Sequence, residues 1–329
     1  MSGQTPSDSI FEGFSEYNEE ADGTSGWRRQ YKLWKETISE QWSTLTDDPL
    51  VVFGMVTISF FGLVAIFAPY IAPHEPVERL YTDSGLIAQW AEPHWLGGEG
   101  GYILGTTAEG YPIFSQLVHG ARPALIVGLV AAVFTAGFGS AVALIAGYYG
   151  GYVDDVLMRI VDVAYGLPLL PTVILMVAML GPSYINVIIA VILLQWRSSA
   201  RVIRSQVLSL RERPFVKSAK VAGASDWRII TRHIAPNILP LTFLYGAFAI
   251  AWAILTEAGV AFLGLGDPSQ ISWGTMLQSA HTYSAFTFGA WWWFVPPGVC
   301  IALVVVSGFL IGRGYEEITN PKLQQKGSS

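Results

Sequence analysis

Few side chains in this 329-residue sequence can do chemistry, and their placement narrows what that chemistry could be. Charged residues make up 13% of the chain and apolar residues 52%. Nine Lys and Arg crowd between Arg197 and His233, against two acids, Glu212 and Asp226. Glu257, Arg159 and Asp162 fall within or beside long apolar runs, where a charge is costly and is by default a functional candidate. His74 and His94 share one loop with Glu75 and Glu92, but two scattered imidazoles are ordinarily loop residues, and no metal is assigned to them. Cys300 is the one cysteine, so it can form neither an intrachain disulfide nor a cysteine metal cluster. An intramembrane enzyme would need a nucleophile–base pair or metal ligands within the apolar segments. Those segments, as delimited below, hold no His, and Cys300 has no ionisable partner in its own. The chain also lacks a Gly-rich phosphate loop ending in Gly-Lys-Ser/Thr. With a net charge of −6, a nucleic-acid binder is not suggested.

The elements that position these residues follow from solvent. A soluble chain carries about 25% charged residues. Half that proportion, with a mean hydropathy of +0.42, points to lipid. A bilayer core needs about 20 mainly apolar residues of helix, and six segments qualify: Pro49–Ile71, Pro123–Ala146, Val156–Leu180, Ile185–Trp196 running on towards Leu210, Ile238–Leu263 and Trp291–Gly312. The fold class expected is all-α, a polytopic membrane protein with six transmembrane helices. Lys and Arg stay on the cytoplasmic side. The stretch 69–120 holds one Arg against six acids, and 264–290 holds no Lys or Arg. Both termini are therefore expected inside the cell. The expected divisions are a cytoplasmic tail (1–48), the first span (49–71), an extracellular loop (72–118), a core with five spans (119–312) and a second cytoplasmic tail (313–329). Residues 1–25 are polar and acidic, without the apolar stretch of a signal peptide, and read as disordered. Trp27, Tyr31, Trp34, Ile38 and Trp42 recur at three- and four-residue steps, as in an amphipathic helix lying on the inner membrane surface or packed on the protein's own loops. Trp90, Trp95 and Tyr102 suit the headgroup level.

Within the basic stretch, Pro214 suits the first turn of a short helix, and Ser218, Ala219 and Ala222 give it a small-residue face. Gly223 ends it. Ser225 then caps a second helix, with Asp226 in its first turn. Trp227, Ile230 and Ile234 share a face of that helix, and Pro236 stops it before a new span. The segment is either a docking element or an amphipathic connector resting on headgroups. In the third span, Arg159 and Asp162 are expected to neutralise each other at i,i+3, while Gly166, Pro168 and Pro171 should kink it. Glu257, near the outer end of the fifth span, either lines a pathway, holds a loop backbone, or sits in water at the headgroups.

Lys217-Ser218-Ala219-x-x-x-Gly223 with Ile234-x-Pro236 resembles the Glu-Ala-Ala loop of binding-protein-dependent ABC importer permeases. Gly223-Ala224-Ser225-Asp226-Trp227-Arg228-Ile229-Ile230 and Arg232-His233-Ile234-x-Pro236-Asn237 are similar to the dipeptide/oligopeptide/nickel branch, the C-type membrane subunit in particular. Other stretches agree in order: His94–Gly97, Leu104–Thr106, Gly120-Ala121-Arg122, Ala146–Gly151, Ser205–Glu212, Glu257-Ala258, Phe262–Gly266 and Ser272–Leu277. The resemblance covers about residues 45–325. It departs at Lys217 and Ser218, where the family has Glu and Ala, and at Thr107 and Tyr111-Pro112, where it has acidic and Arg-Asp residues. It implies a cytoplasmic two-helix coupling loop in which Lys217, Ala219, Gly223, Ala224, Ser225, Asp226 and Arg228 dock an ATPase. Glu257, Arg159, Asp162 and Pro168 stand as pathway candidates. The implied partners are a second homologous permease subunit, two ATPase subunits that bind ATP and Mg, an external solute-binding protein and the lipid membrane, with no cofactor in this chain. The substrates implied are di- or oligopeptides, with nickel or oligosaccharides as alternatives. A non-transporting sensor subunit is the remaining different reading.

Overall fold

The computed structural model describes residues 45–82, 84–98 and 102–319. The proposed amphipathic helix over 27–42 lies outside them. The chain divides into two units, residues 1–47 and residues 48–329, and every helix below belongs to the second.

Asp48 sets where the first membrane helix begins. Its carboxylate accepts the Leu50 N–H at 2.8 Å, and Pro49 occupies the first turn, where a missing N–H leaves nothing unpaired. Helix α1 (Pro49–Ile71) has the bounds the sequence predicts. It exposes Val56, Phe60, Leu63 and Ile66 along one face. A patch of that size is an aggregation liability in water and is satisfied by lipid.

The second span is longer than expected. It runs Ile113–Tyr149, as α2 (Ile113–Phe134), a π-turn (Thr135–Gly139) and α3 (Ser140–Tyr149). Its start, ten residues before Pro123, brings His119 and Arg122 inside a membrane-length helix and corrects the expectation that no span holds a His.

The third segment bends where Gly166 and Pro168 predict, sharply enough to break into two helices. Helices α4 (Gly151–Gly166) and α5 (Leu169–Leu180) meet at 84°. Leu167 and Pro168 take extended backbone angles between them, as a residue preceding proline prefers.

Helix α6 (Tyr184–Arg211) is one continuous rod of 28 residues. After a corner formed by α7 (Pro214–Val221) and α8 (Asp226–Ile229), a π-turn (Ile230–Ile234) leads directly into α9 (Ala235–Val260) and a further π-turn (Ala261–Leu265). Pro236 therefore does not stop the helix. The Ala235 N–H bonds to the Ile230 carbonyl five residues back. This widened turn lets a residue without an N–H enter the helix with its backbone partners re-paired. The helical run spans Asp226–Leu265, 40 residues, with a kink at Gly264, φ +82°. Helix α10 (Trp273–Thr282) lies in the following loop, and α11 (Trp291–Thr319) completes the bundle. Among the described residues, five helices could each cross a membrane, or six if the bent α4–α5 pair is one span.

Alternate crossings place the described residues of 72–112 and residues 266–290 at one end of the bundle, called here the loop end, and residues 147–151 and 211–235 at the other, the corner end. The loop end is folded. Ser272 and Thr275 form a reciprocal capping box that starts α10. Trp273 is buried, donates its indole N–H to the Leu117 carbonyl at 2.9 Å, and lies against Gly120, where a Cβ would stand 2.8 Å from the ring. Gly274 meets the Ala258 backbone equally closely. Trp90 packs on Phe288 and Trp293, and Trp95 on Trp291. His74 pairs with Glu78 at 3.6 Å. Among the described residues no three His, Cys, Asp or Glu side chains gather as metal ligands.

Candidate coupling site

The corner between α7 and α8 is built from its backbone outward. Ala222 is the last residue with near-helical angles, and Gly223 follows at φ +79°. The Gly223 N–H bonds to the Lys220 carbonyl at 3.1 Å and the Ala224 N–H to the Ala219 carbonyl at 3.0 Å. This pair of reversed bonds satisfies carbonyls that a helix end otherwise leaves open, and it needs the left-handed residue that glycine supplies without strain. Ser225 sits at the N-cap of α8 with extended angles, but its side chain makes no capping bond; its carbonyl accepts the Ile229 N–H at 3.0 Å.

The corner is tied to the bundle by three kinds of contact. Val216, Ile229, Ile230 and Ile234 are buried in a cluster with Ala143, Tyr148, Ile203, Val207 and Leu210. The Tyr148 hydroxyl donates to Asp226 Oδ1 at 2.6 Å. Arg211 donates to the carbonyls of Gly147 and Tyr148 at 3.1 and 3.2 Å. The end of the second span, the end of α6 and the start of α8 thus meet at one place.

The predicted docking residues divide between two faces. Gly223, Ser225 and Arg228 are open to solvent. Ala219 and Ala224 are half-buried and pack inward on the cluster. Asp226 is held by Tyr148, and Lys217 pairs with Glu212 at 3.0 Å. Lys217, with Arg211 contributing less, holds the Glu212 carboxyl below its usual range. The stripe Trp227–Ile230–Ile234 does not form, because the π-turn rotates the later residues inward with Ile229 while Trp227 stays 74% exposed. Val221 is 90% exposed. Val221 and Trp227, with Phe215 less exposed, therefore stand out beside the small residues of a basic corner. The sequence reading missed Val221 as a surface residue. Its place just before the Gly223 corner is the only sequence signal that could have pointed to it.

The expected Arg159–Asp162 pair also does not form. Asp162 pairs with Arg201 of α6, whose guanidinium lies 4.1 Å from the Tyr165 ring. Arg204 holds Asp154 through both carboxylate oxygens, and Arg197 donates to the Ala164 carbonyl at 2.7 Å. Three arginines at three- and four-residue steps on α6 face α4, and an antiparallel neighbour supplies better partners than the same helix does. Glu257 is 5% exposed, at the foot of α10 beside the Ser272 hydroxyl, and is not open to water in this chain. Pro168 stands at the α4–α5 break.

A bundle of membrane-length helices with a capped basic corner between its fourth and fifth crossings defines a multi-pass membrane protein. The family model for the binding-protein-dependent transport system inner membrane component matches residues 139–325, and that for the N-terminal transmembrane domain of oligopeptide transport permease C matches residues 33–88. The chain belongs to the family of inner membrane components of binding-protein-dependent transport systems. A dipeptide transport system permease protein of Haemophilus influenzae is 33% identical over 88% of this chain and 97% of its own length. The dipeptide permease of Alkalihalophilus pseudofirmus is 35% identical over 88% and 90%. A probable D,D-dipeptide permease of Escherichia coli is 32% identical over 86% and 91%. An inward-facing structure of a methionine ABC transporter aligns at TM-score 0.49 with 16% identity, covering 63% of this chain and 96% of its own.

Proposed function

We propose that this chain is a C-type permease subunit of an ABC importer for di- or oligopeptides. In this reading it lines the pathway with a second, homologous subunit. The corner over 214–234 docks one of two separate ATPase subunits that bind ATP and Mg, and a solute-binding protein engages the loop end. The termini and the corner face the cytoplasm of a cell membrane, residues 72–118 face outward, 119–312 form the core, and 1–48 and 313–329 are tails. The peptide assignment rests on the names of the relatives. The docking assignment rests chiefly on one observation: the double-bonded Gly223 corner presents Val221, Trp227 and Arg228 outward while its other face is anchored to two spans. A flexible connector gains nothing from such a cap. A rigid handle needs it, because a force applied to the corner then reaches α6, α9 and the 147–150 turn together.

Lys217, Ala219, Gly223, Ala224, Ser225, Asp226 and Arg228 remain the proposed docking set, with Ala219 and Ala224 as its inner supports and the exposed Asp226 tied to Tyr148. Glu257, Arg159, Asp162 and Pro168 are proposed to act in the pathway and its hinge. Reconstitution tests the proposal. Vesicles containing both permease subunits and the ATPases should take up peptide when ATP and the binding protein are supplied, and an intact complex that takes up none refutes the importer assignment. Gly223→Pro removes both the N–H donor and the positive φ, and should abolish co-purification of the ATPase.

A further inference from the structure

Arg122 stands ten residues into α2 and opens the apolar run of the second span. It is exposed, and among the described residues no carboxylate lies within ion-pair distance of it. It borders a cleft of about 560 Å³ at the loop end, between α2, the start of α6 and residues 268–271. The lining includes His119, Tyr184, Ser269 and Gln270 and no acid. The acid nearest in sequence to that wall, Asp267, does not line the cleft and is held behind it by two lining residues: it accepts from Ser269 N, Ser269 Oγ and Tyr184 N. Those bonds, the Ser269 hydroxyl first, hold its carboxyl below the usual range. The other polar groups are also committed. Tyr184 donates its hydroxyl to the Pro123 carbonyl at 2.5 Å, and His119 Nδ1 donates to the Ser115 carbonyl at 2.9 Å, which fixes the walls around the guanidinium. Helix α2 is held on its other sides by α1, α6 and α9. Arg122 therefore heads the one open face of a central helix, with Ile126 and Val133 exposed below it.

We propose that this cleft receives the free C-terminal carboxylate of the transported peptide, paired with the Arg122 guanidinium. A guanidinium presents two parallel N–H donors that match a carboxylate. An unpaired one at the edge of an apolar segment is a functional candidate. The cleft has room for one end of a small peptide, and its Gln270 adds a polar side chain without adding negative charge. This assignment deepens the peptide reading and rests on it.

The test compares two probes, alanyl-alanine and alanyl-alaninamide, in vesicles holding the full importer with its binding protein. Arg122→Gln should lower uptake of the free acid about tenfold more than uptake of the amide, as expected for losing a bond between charged groups. Arg122→Lys should fall between, since an ammonium keeps the charge but loses the fork. Equal loss of both probes, or no loss of either, overturns the proposal. So does a differential that vanishes when phosphatidylglycerol is replaced by neutral lipid, because Arg122 would then be serving a lipid phosphate. If the unsubstituted importer carries neither probe, the peptide reading itself falls, an outcome distinct from a failed differential.

Discussion

At the scale of single residues, Gly223 and Asp267 show how one backbone or side-chain feature fixes a local shape. Gly223 sits at φ +79°, and a Cβ added there would meet nothing within 4 Å. The penalty for Gly223→Ala is therefore conformational, about 1–2 kcal/mol for a left-handed non-glycine residue. Gly223→Asn should lose less, because asparagine tolerates this region. Hydrogen exchange at the Ala224 amide, whose bond closes the corner, should speed up about tenfold or more in the alanine variant. Unchanged exchange would show that the corner does not depend on the cap. Asp267 gives a pH dependence of definite sign. Its folded pKa lies below the ordinary value, so its contribution to the 267–269 turn and to the start of α6 is present above the ordinary carboxylate range and is lost as pH falls through the depressed value. Amide exchange at Ser269 and Tyr184 should stay constant from neutral pH to about 5, after allowance for intrinsic rates, and rise only below the usual carboxylate range. Asp267→Asn should show the fast exchange at every pH.

At the scale of elements, Tyr148 joins the second span to the corner. Its hydroxyl bond to Asp226 is buried on one side and made to a carboxylate, the kind worth about 1.5–3 kcal/mol. Tyr148→Phe removes that bond and leaves the ring in the Ile230–Ile234 cluster. The expected result is faster exchange over 226–230 with an unchanged melting profile for the rest of the bundle; a global loss of stability would assign Tyr148 to the core instead. The sequence made α1 legible to the residue, because its apolar run from Pro49 to Ile71 holds no charged residue. It made the break at Pro168 legible in position but not in angle. The π-turns were not legible. A widened turn at Ile230–Ile234 depends on the Ala143–Ile203–Val207 surface it packs against, and no local pattern announces it, so both the passage through Pro236 and the outward placement of Trp227 were misjudged. The Arg159–Asp162 pairing failed for a related reason: spacing along one helix cannot show that Arg201 of a neighbour stands closer.

At the scale of the whole molecule, composition and charge placement carried the fold class, since a chain with so few charges has one solvent that suits it. Helix α10 stayed hidden because its apolar stretch is short and its capping box uses Thr275 where Glu or Gln is the familiar signal. The proposed orientation is checked with single cysteines on a Cys300→Ser background. Leu86→Cys, at an exposed site of the loop end, should react with an impermeant maleimide in intact cells, and Val221→Cys only after the membrane is opened. The reverse pattern would invert the topology. The central claim is that the Gly223 corner is where a separate ATPase grips this subunit. Co-purification of the ATPase with the Val221→Asp/Trp227→Asp variant tests it most directly. Both side chains are exposed, so the permease pair should assemble at its normal level while the ATPase is lost from the complex. A full complement of bound ATPase, with ATP-driven uptake intact, would contradict the account.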